Sequence, residues 1–290
     1  MANLKAIRKR IGSVKNTQKI TRAMKMVAAA RLRRAQQAIT ELRPYALKTL
    51  EVLSSVAARA TGDDVVHPLL ARREVKNVML VVLTSDRGLA GAFNTNINKA
   101  AYQFVKDLRA EGKTVSVAAI GRKGKEYFAR RNVTLRHTFT GVFESLSLAK
   151  ATEIGMVLAH EYEVSDLDAI YLCYNEFKSA LTQKVTIEPL LPITPQPVPE
   201  SESAVDFIYE PDKQGLLDRL LPMYAEVEVY RALLESVASE HGARMTAMDN
   251  ATNNASELVG KLTLVYNRAR QAAITKELME IIGGAEALKG

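Results

Sequence analysis

LKAIRKRIGSVKNTQKITRAMKMVAAARLRRAQQAITEL, residues Leu4 to Leu42, repeats every seven residues. With Leu4, Ile11, Gln18, Lys25, Leu32 and Ile39 at heptad position a, Ile7, Val14, Thr21, Ala28, Ala35 and Leu42 fall at d. A seam that holds without a slip is the pattern of a coiled-coil helix. It is apolar at both ends and polar or small in the middle. The pattern predicts a helix over residues 3 to about 58, about 80 Å long at the α-helical rise. Pro44 predicts a kink, and Gly62-Asp63-Asp64 a stop.

A second seam lies at the far end. Between Asp212 and Ile282 the only proline is Pro222. Tyr224, Val227, Arg231, Leu234, Ala238, His241, Met245, Met248, Thr252, Ala255, Val259, Leu262, Tyr266, Ala269 and Ala273 follow one another at spacings of 3 and 4. This helix is expected to span about 105 Å and to end at Gly283-Gly284. Each helix alone would leave an apolar stripe in water, so each needs a partner. Their places at opposite ends of the chain predict an antiparallel pair.

The middle alternates between periods of 2 and 3.6. Strands are expected at 75–85, 115–121, 134–142, 167–177 and 184–193, the last two as a hairpin. Helices are expected at 94–110, 122–131 and 146–162, the third capped by Ser145 or Ser147. Such a rhythm gives a small, mostly parallel sheet with flanking helices. Thr194 to Ser201 reads as a linker. The fold class is therefore α/β with long helices. Residues 1–60 and 212–283 form an antiparallel two-helix coiled coil, and residues 75–195 an inserted Rossmann-like α/β domain.

Composition narrows the function. Hydrophobic residues make up 47% of the 290, so the chain can build a core. The longest apolar run, Val78 to Leu83, is far short of the roughly 20 residues that cross a bilayer. Aromatics are only 6%, with no tryptophan. Cys173 stands alone in an apolar run, which rules out an intramolecular disulfide and reads as a small buried hydrophobe. Net charge is +8, yet residues 1–36 carry eleven cations and no acid, leaving the remainder at −3. That segment is open to three readings: a targeting peptide, a surface for nucleic acid or anionic membrane, or a solvated helix facing an acidic protein partner. Against the first stand its single serine, Ser13, and an apolar pattern that runs on into later sequence.

Catalytic patterns are thin. The loop Thr84-Ser85-Asp86-Arg87-Gly88-Leu89-Ala90-Gly91-Ala92-Phe93-Asn94 follows a strand, where α/β sheets hold ligands. Its glycines fit neither the dinucleotide nor the P-loop spacing. It reads as a tight turn, with Asn94 or Thr95 capping the next helix. Gly121-Arg122-Lys123-Gly124-Lys125 is open to a phosphate site or a solvated helix start. His67, His137, His160 and His241 are scattered, and His160-Glu161 lacks the second histidine of a zinc helix. Asp63-Asp64 reads as a solvated turn. No cofactor, metal site or catalytic residue is expected.

Three stretches carry a resemblance. Asn16-Thr17-Gln18-Lys19-Ile20-Thr21-Arg22-Ala23-Met24-Lys25-Met26-Val27-Ala28-Ala29, Ser85-Asp86-Arg87-Gly88-Leu89-Ala90-Gly91 and Leu264-Val265-Tyr266-Asn267-Arg268-Ala269-Arg270-Gln271-Ala272-Ala273-Ile274-Thr275-Lys276-Glu277-Leu278 resemble the markers of ATP synthase γ subunits. The likeness extends over essentially the full chain. It implies a non-catalytic rotor shaft, one copy per complex, inside a hexamer of three α and three β subunits. Met24, Lys25, Arg270, Gln271, Thr275 and Glu277 would meet the β subunits. Tyr209 and Glu210 would belong to a foot that meets ε and the c ring of Fo. Proton flow would turn the ring and this shaft, and ATP hydrolysis would drive it backwards. The implied place is peripheral, on the cytoplasmic face of a bacterial inner membrane, touching membrane only through Fo and no nucleic acid. Photosynthetic relatives insert a regulatory dithiol, which Cys173 alone cannot form. Two other readings compete: a basic coiled-coil scaffold for nucleic acid or anionic membrane, and a nucleotide-using α/β enzyme.

Overall fold

The computed structural model describes residues 4–59, 67–71, 73–195 and 213–287. In chain order these form α1 (Leu4–Arg59), β1 (Asn77–Leu83), α2 (Phe93–Ala110), β2 (Thr114–Ile120) and α3 (Arg122–Ala129). There follow β3 (Leu135–Phe139), a 3-10 turn (Val142–Glu144), α4 (Leu148–Val164), β4 (Ala169–Phe177), β5 (Gln183–Leu191) and α5 (Lys213–Ala287). They make two compact units, residues 1–28 with 245–290 and residues 29–244.

The smaller unit is a pair of helices. Thr21 faces Thr252 and Lys25 faces Asp249, so the partner number falls as the first rises and the helices run antiparallel. Every seam residue from Leu4 to Ala28 and from Met245 to Ala273 is buried or half-buried, and most of their neighbours are exposed. The polar middle of the seam is explained by one contact. The Thr21 and Thr252 hydroxyls lie 2.7 Å apart, and each also reaches a carbonyl of its own helix, Gln18 O at 3.0 Å and Met248 O at 2.7 Å. One hydroxyl donates across the pair and the other donates back to its helix. A polar match inside an apolar seam fixes register, because a slip would bury the hydroxyls against methyl groups. The Lys25–Asp249 pair at 2.6 Å is about half exposed and adds less than about 1 kcal/mol.

The larger unit is built on a five-stranded sheet of order β3-β2-β1-β4-β5, parallel except for β5, which pairs antiparallel with β4. Central β1 is apolar from Val78 to Leu83 because both its faces are covered. Alternate side chains part to opposite sides. Met79, Val81 and Leu83 join Ile154 and Leu158 of α4, Leu53 and Val56 of α1, and Leu221, Val229 and Leu233 of α5. Val78, Leu80 and Val82 join Ile97, Ala101 and Val105 of α2 and Phe128 of α3. The long helices are thus part of the α/β core in this unit. Gly155 permits the contact, since a Cβ there would stand 2.9 Å from the Glu226 Cα on α5.

Several expectations need correction. Gly283-Gly284 does not end α5, which continues to Ala287. Helical glycine costs about 1 kcal/mol, and neither residue takes a left-handed stop. Neither Asn94 nor Thr95 caps α2. Its N-cap is Ala92, without a side-chain bond, and the Asn94 carboxamide turns back to Ser85. The third strand stops at Phe139, because Gly141 turns left-handed at φ 75° and opens the 3-10 turn. Ser147, not Ser145, caps α4 by accepting from Lys150 N at 3.4 Å. Pro44 and Pro222 lie inside α1 and α5 without ending them. Gly62-Asp63-Asp64, Tyr209, Glu210 and most of the linker lie outside the described residues.

Gly121 and Gly88 offer a paired test. Gly121 has φ 97°, and a Cβ there would lie 1.9 Å from the Thr84 carbonyl oxygen, whereas Gly88 has nothing within 4 Å. Gly121→Ala should lower the unfolding free energy by about 3 kcal/mol or more. Gly88→Ala should change it by no more than about 0.5 kcal/mol. Urea titration of the full chain reads both, and equal effects would refute the packing described.

Candidate functional site

Two surfaces stand out, one in each unit. In the smaller unit the seam on α5 ends at Ala273, and residues 274–285 are all exposed. The tip still carries Ile274, Leu278, Met279, Ile281 and Ile282, with Ile281 71% exposed. A lone helix with this much bare apolar surface is not self-sufficient in water. Ile20, Met26 and Val27 of α1 and Leu264 and Val265 of α5 are also largely exposed.

Charge accompanies this apolar surface. Residues 1–28 hold eight cations and no acid, and residues 245–290 hold five of each, so the whole net charge of +8 sits in this unit. Arg8, Lys15 and Arg22 recur every seven residues, which places them in one exposed stripe beside the seam. Of the residues the sequence singled out, Arg270, Gln271, Thr275 and Glu277 are exposed on α5 near its tip, and Met24 and Lys25 are half-buried on α1. They lie far apart along the pair, so they form two patches.

In the larger unit, the loop after β1 is bound to its surroundings at many points. Ser85 N donates to Asn94 Oδ1 at 3.0 Å, and Asn94 Nδ2 donates to Ser85 Oγ at 2.8 Å. Asp86 Oδ1 accepts from Arg122 N at 2.9 Å, so the loop's own carboxylate sits on the first turn of α3. Thr84 Oγ1 accepts from Gly124 N at 2.7 Å. The amides that a phosphate would need in the basic turn are therefore taken, Arg122 N and Gly124 N by side chains and Lys123 N by Ser85 O at 3.1 Å. Arg87 pairs with Glu144 at 2.8 Å on the surface.

α5 completes this cluster. Arg244 donates to Gly88 O at 3.1 Å, pairs with Glu240 at 2.7 Å and reaches His241 Nδ1 at 3.2 Å. Burial raises the Glu240 carboxyl above its ordinary range, against the pull of Arg244. Burial, then Arg244 and Arg31, push His241 down to about 4, so its imidazole is neutral and accepts from the guanidinium. The loop and α5 are thus locked together by one desolvated arginine. Sequence reading missed this role of Arg244. The signal available was Glu240 and Arg244 at i,i+4, flanking His241 of the α5 seam.

Cys173 is fully buried in β4, and burial pushes its thiol up to about 12, which leaves no thiolate to react. Among the described residues no group of acids, histidines or cysteine could hold a metal, and no helix is long and apolar enough to cross a membrane.

The comparisons agree with one another. The ATP synthase family profile matches residues 3–288. An ATP synthase gamma chain from Geobacter sp. (strain M21) is 53% identical over 290 residues, with both chains fully covered. Another from Sorangium cellulosum is 52% identical over 322 residues, again covering both chains. Among solved structures, the central stalk and c ring of Tetrahymena thermophila mitochondrial ATP synthase contains a chain 27% identical, with TM-score 0.60, covering 80% of this chain and 99% of that one. A chain of Euglena gracilis mitochondrial ATP synthase shares the fold, with TM-score 0.67 at 22% identity.

His241 predicts a pH dependence. Its value falls from 6.5 to about 4 on folding, so the unfolded chain binds the proton more tightly. Its contribution is complete above pH 6.5 and is lost as pH falls toward 4. Glu240, raised on folding, works in the opposite sense. The unfolding free energy of His241→Gln should therefore fall less between pH 7 and pH 4.5 than that of the unaltered chain, by about 2 kcal/mol. Parallel pH profiles for the two would refute the buried neutral imidazole.

Proposed function

The chain belongs to the ATP synthase family, among its gamma chains, and from that premise we propose that it is the shaft that couples ring rotation to ATP synthesis. It is a subunit of the central stalk and works with F1 and the c ring. The observation that carries the reading is the bare apolar tip of α5 beyond Ala273, on a unit that holds all the net charge. Such a tip fits a sleeve made by other subunits.

In this reading one copy stands inside three α and three β subunits, and the chain itself makes no ATP. Met24, Lys25, Arg270, Gln271, Thr275 and Glu277 meet the β subunits. Tyr209 and Glu210 belong to the foot, with ε and the c ring. The complex lies at the cytoplasmic face of a bacterial inner membrane, and the chain reaches membrane only through Fo. Proton flow turns the ring and the shaft, and an asymmetric shaft holds three β sites in three different states. ATP hydrolysis turns it backwards.

The physical properties suit that task. Paired helices with a fixed register transmit torque, because slip would unmatch Thr21 from Thr252. Few aromatics leave few deep anchors to arrest turning. A basic stripe attracts acidic loops without one locked geometry. The reading of residues 1–36 as a nucleic-acid or membrane surface is not supported, since gamma-chain relatives match this chain from end to end.

Two variants test the proposal in vesicles carrying the whole complex. Met24→Lys places another cation beside Lys25 and should lower proton pumping per ATP hydrolysed while leaving assembly intact. Unchanged pumping per ATP would count against the placement of Met24. Ending the chain at Ala269 removes the tip, and should lower ATP synthesis about tenfold, equivalent to about 1.4 kcal/mol. Wild-type rates from the shortened chain would show that the tip is not a working contact.

A further inference from the structure

In the larger unit, α1, the β4–β5 hairpin and α5 enclose a cleft of about 630 Å³. That volume lies in the range of small-molecule sites. One wall is aliphatic, with Leu42, Leu47 and Leu50 of α1 facing Leu190 and Ile193. Leu47 is 62% exposed, and Leu42 and Leu50 are only half-buried, so this chain does not close the wall with its own described residues.

The opposite wall is polar and short of positive charge. Arg231 serves two carboxylates at once, Glu188 and, at 2.7 Å, Glu228. It also donates to the Tyr174 hydroxyl at 3.0 Å, and that hydroxyl donates to Glu188 at 3.2 Å. One guanidinium against two carboxylates leaves one negative charge over. The rest of the lining does not correct this. Glu176 and Glu235 add two acids against Arg43; Lys178, which lies outside the lining, pairs with Glu176 at 2.5 Å, so the cleft together with that lysine keeps a net charge of −1. Burial raises the Glu188 carboxyl, as it does for an acid whose charge is incompletely matched.

We propose that this cleft binds an amphipathic monocation, an apolar body bearing a single positive charge, with the body on the leucine wall and the charge toward Glu188 and Glu228. The cation supplies the missing partner for the surplus carboxylate, and its body covers the open leucines. A neutral apolar ligand would leave the charge unmatched, and an anion would add to it.

Tetraphenylphosphonium and tetraphenylborate, nearly equal in shape and opposite in charge, test this in separate calorimetric titrations of the full chain. Tetraphenylphosphonium should saturate at one per chain with a Kd of about 10–100 µM. Ala46→Phe projects a ring into the cleft and should abolish that binding. Glu188→Gln keeps an acceptor for Tyr174 but removes the surplus charge, and should weaken binding about tenfold. Each variant is checked for an unchanged thermal midpoint. Whatever tetraphenylborate binds elsewhere on this basic chain should be unaffected by Ala46→Phe. Absence of saturable phosphonium binding would overturn the proposal. So would normal binding to both folded variants, or borate binding that Ala46→Phe removes equally.

Discussion

The burial of two apolar seams governs this chain. Neither long helix can keep its stripe in water, and each finds cover on the other. In the smaller unit the pairing is almost the whole structure, and its register rests on one hydroxyl pair, Thr21 with Thr252. In the larger unit the same two helices also supply Leu53, Leu221 and Leu233 to the core under the sheet. The α/β domain is thus built onto the helices through shared apolar surface.

Polar chemistry adds precision where apolar contact leaves freedom. The loop after β1 would be free to take several paths, yet Asn94, Arg122 and Arg244 hold it at Ser85, Asp86 and Gly88. Ser85 and Asp86 are buried, so losing the partner of either leaves a buried polar group unmatched. That gives a physical reason for a loop of this composition without any appeal to catalysis. Its polar residues serve attachment to α5.

Periodic features were readable in the sequence at the level of single residues. Every a and d position from Leu4 to Leu42 avoids full exposure, and the second seam does the same from Tyr224 to Ala273. The five strands and the hairpin also follow from runs such as Val78 to Leu83. What could not be read depends on contacts distant in sequence. Asn94 has the character of a cap, but Ser85 claims its carboxamide. Gly283-Gly284 has the character of a stop, but adopts helical geometry. The Arg244 contact joins residues 156 apart in sequence, and the Glu240–Arg244 spacing marks the arginine but not its partner Gly88. The candidate contact residues came from family resemblance, and no spacing rule would have found Gln271 or Thr275.

The rotor reading rests on residues 4–28 of α1 and 245–273 of α5 forming one antiparallel pair. Cysteines replacing Thr21 and Thr252 test it directly in the assembled complex, with Cys173 buried and inert. Oxidation should join the two within one chain, and ATP turnover should persist, because linking two parts of one rotor does not oppose its rotation. Failure to cross-link, or a loss of turnover on cross-linking that reductant restores, would contradict the account.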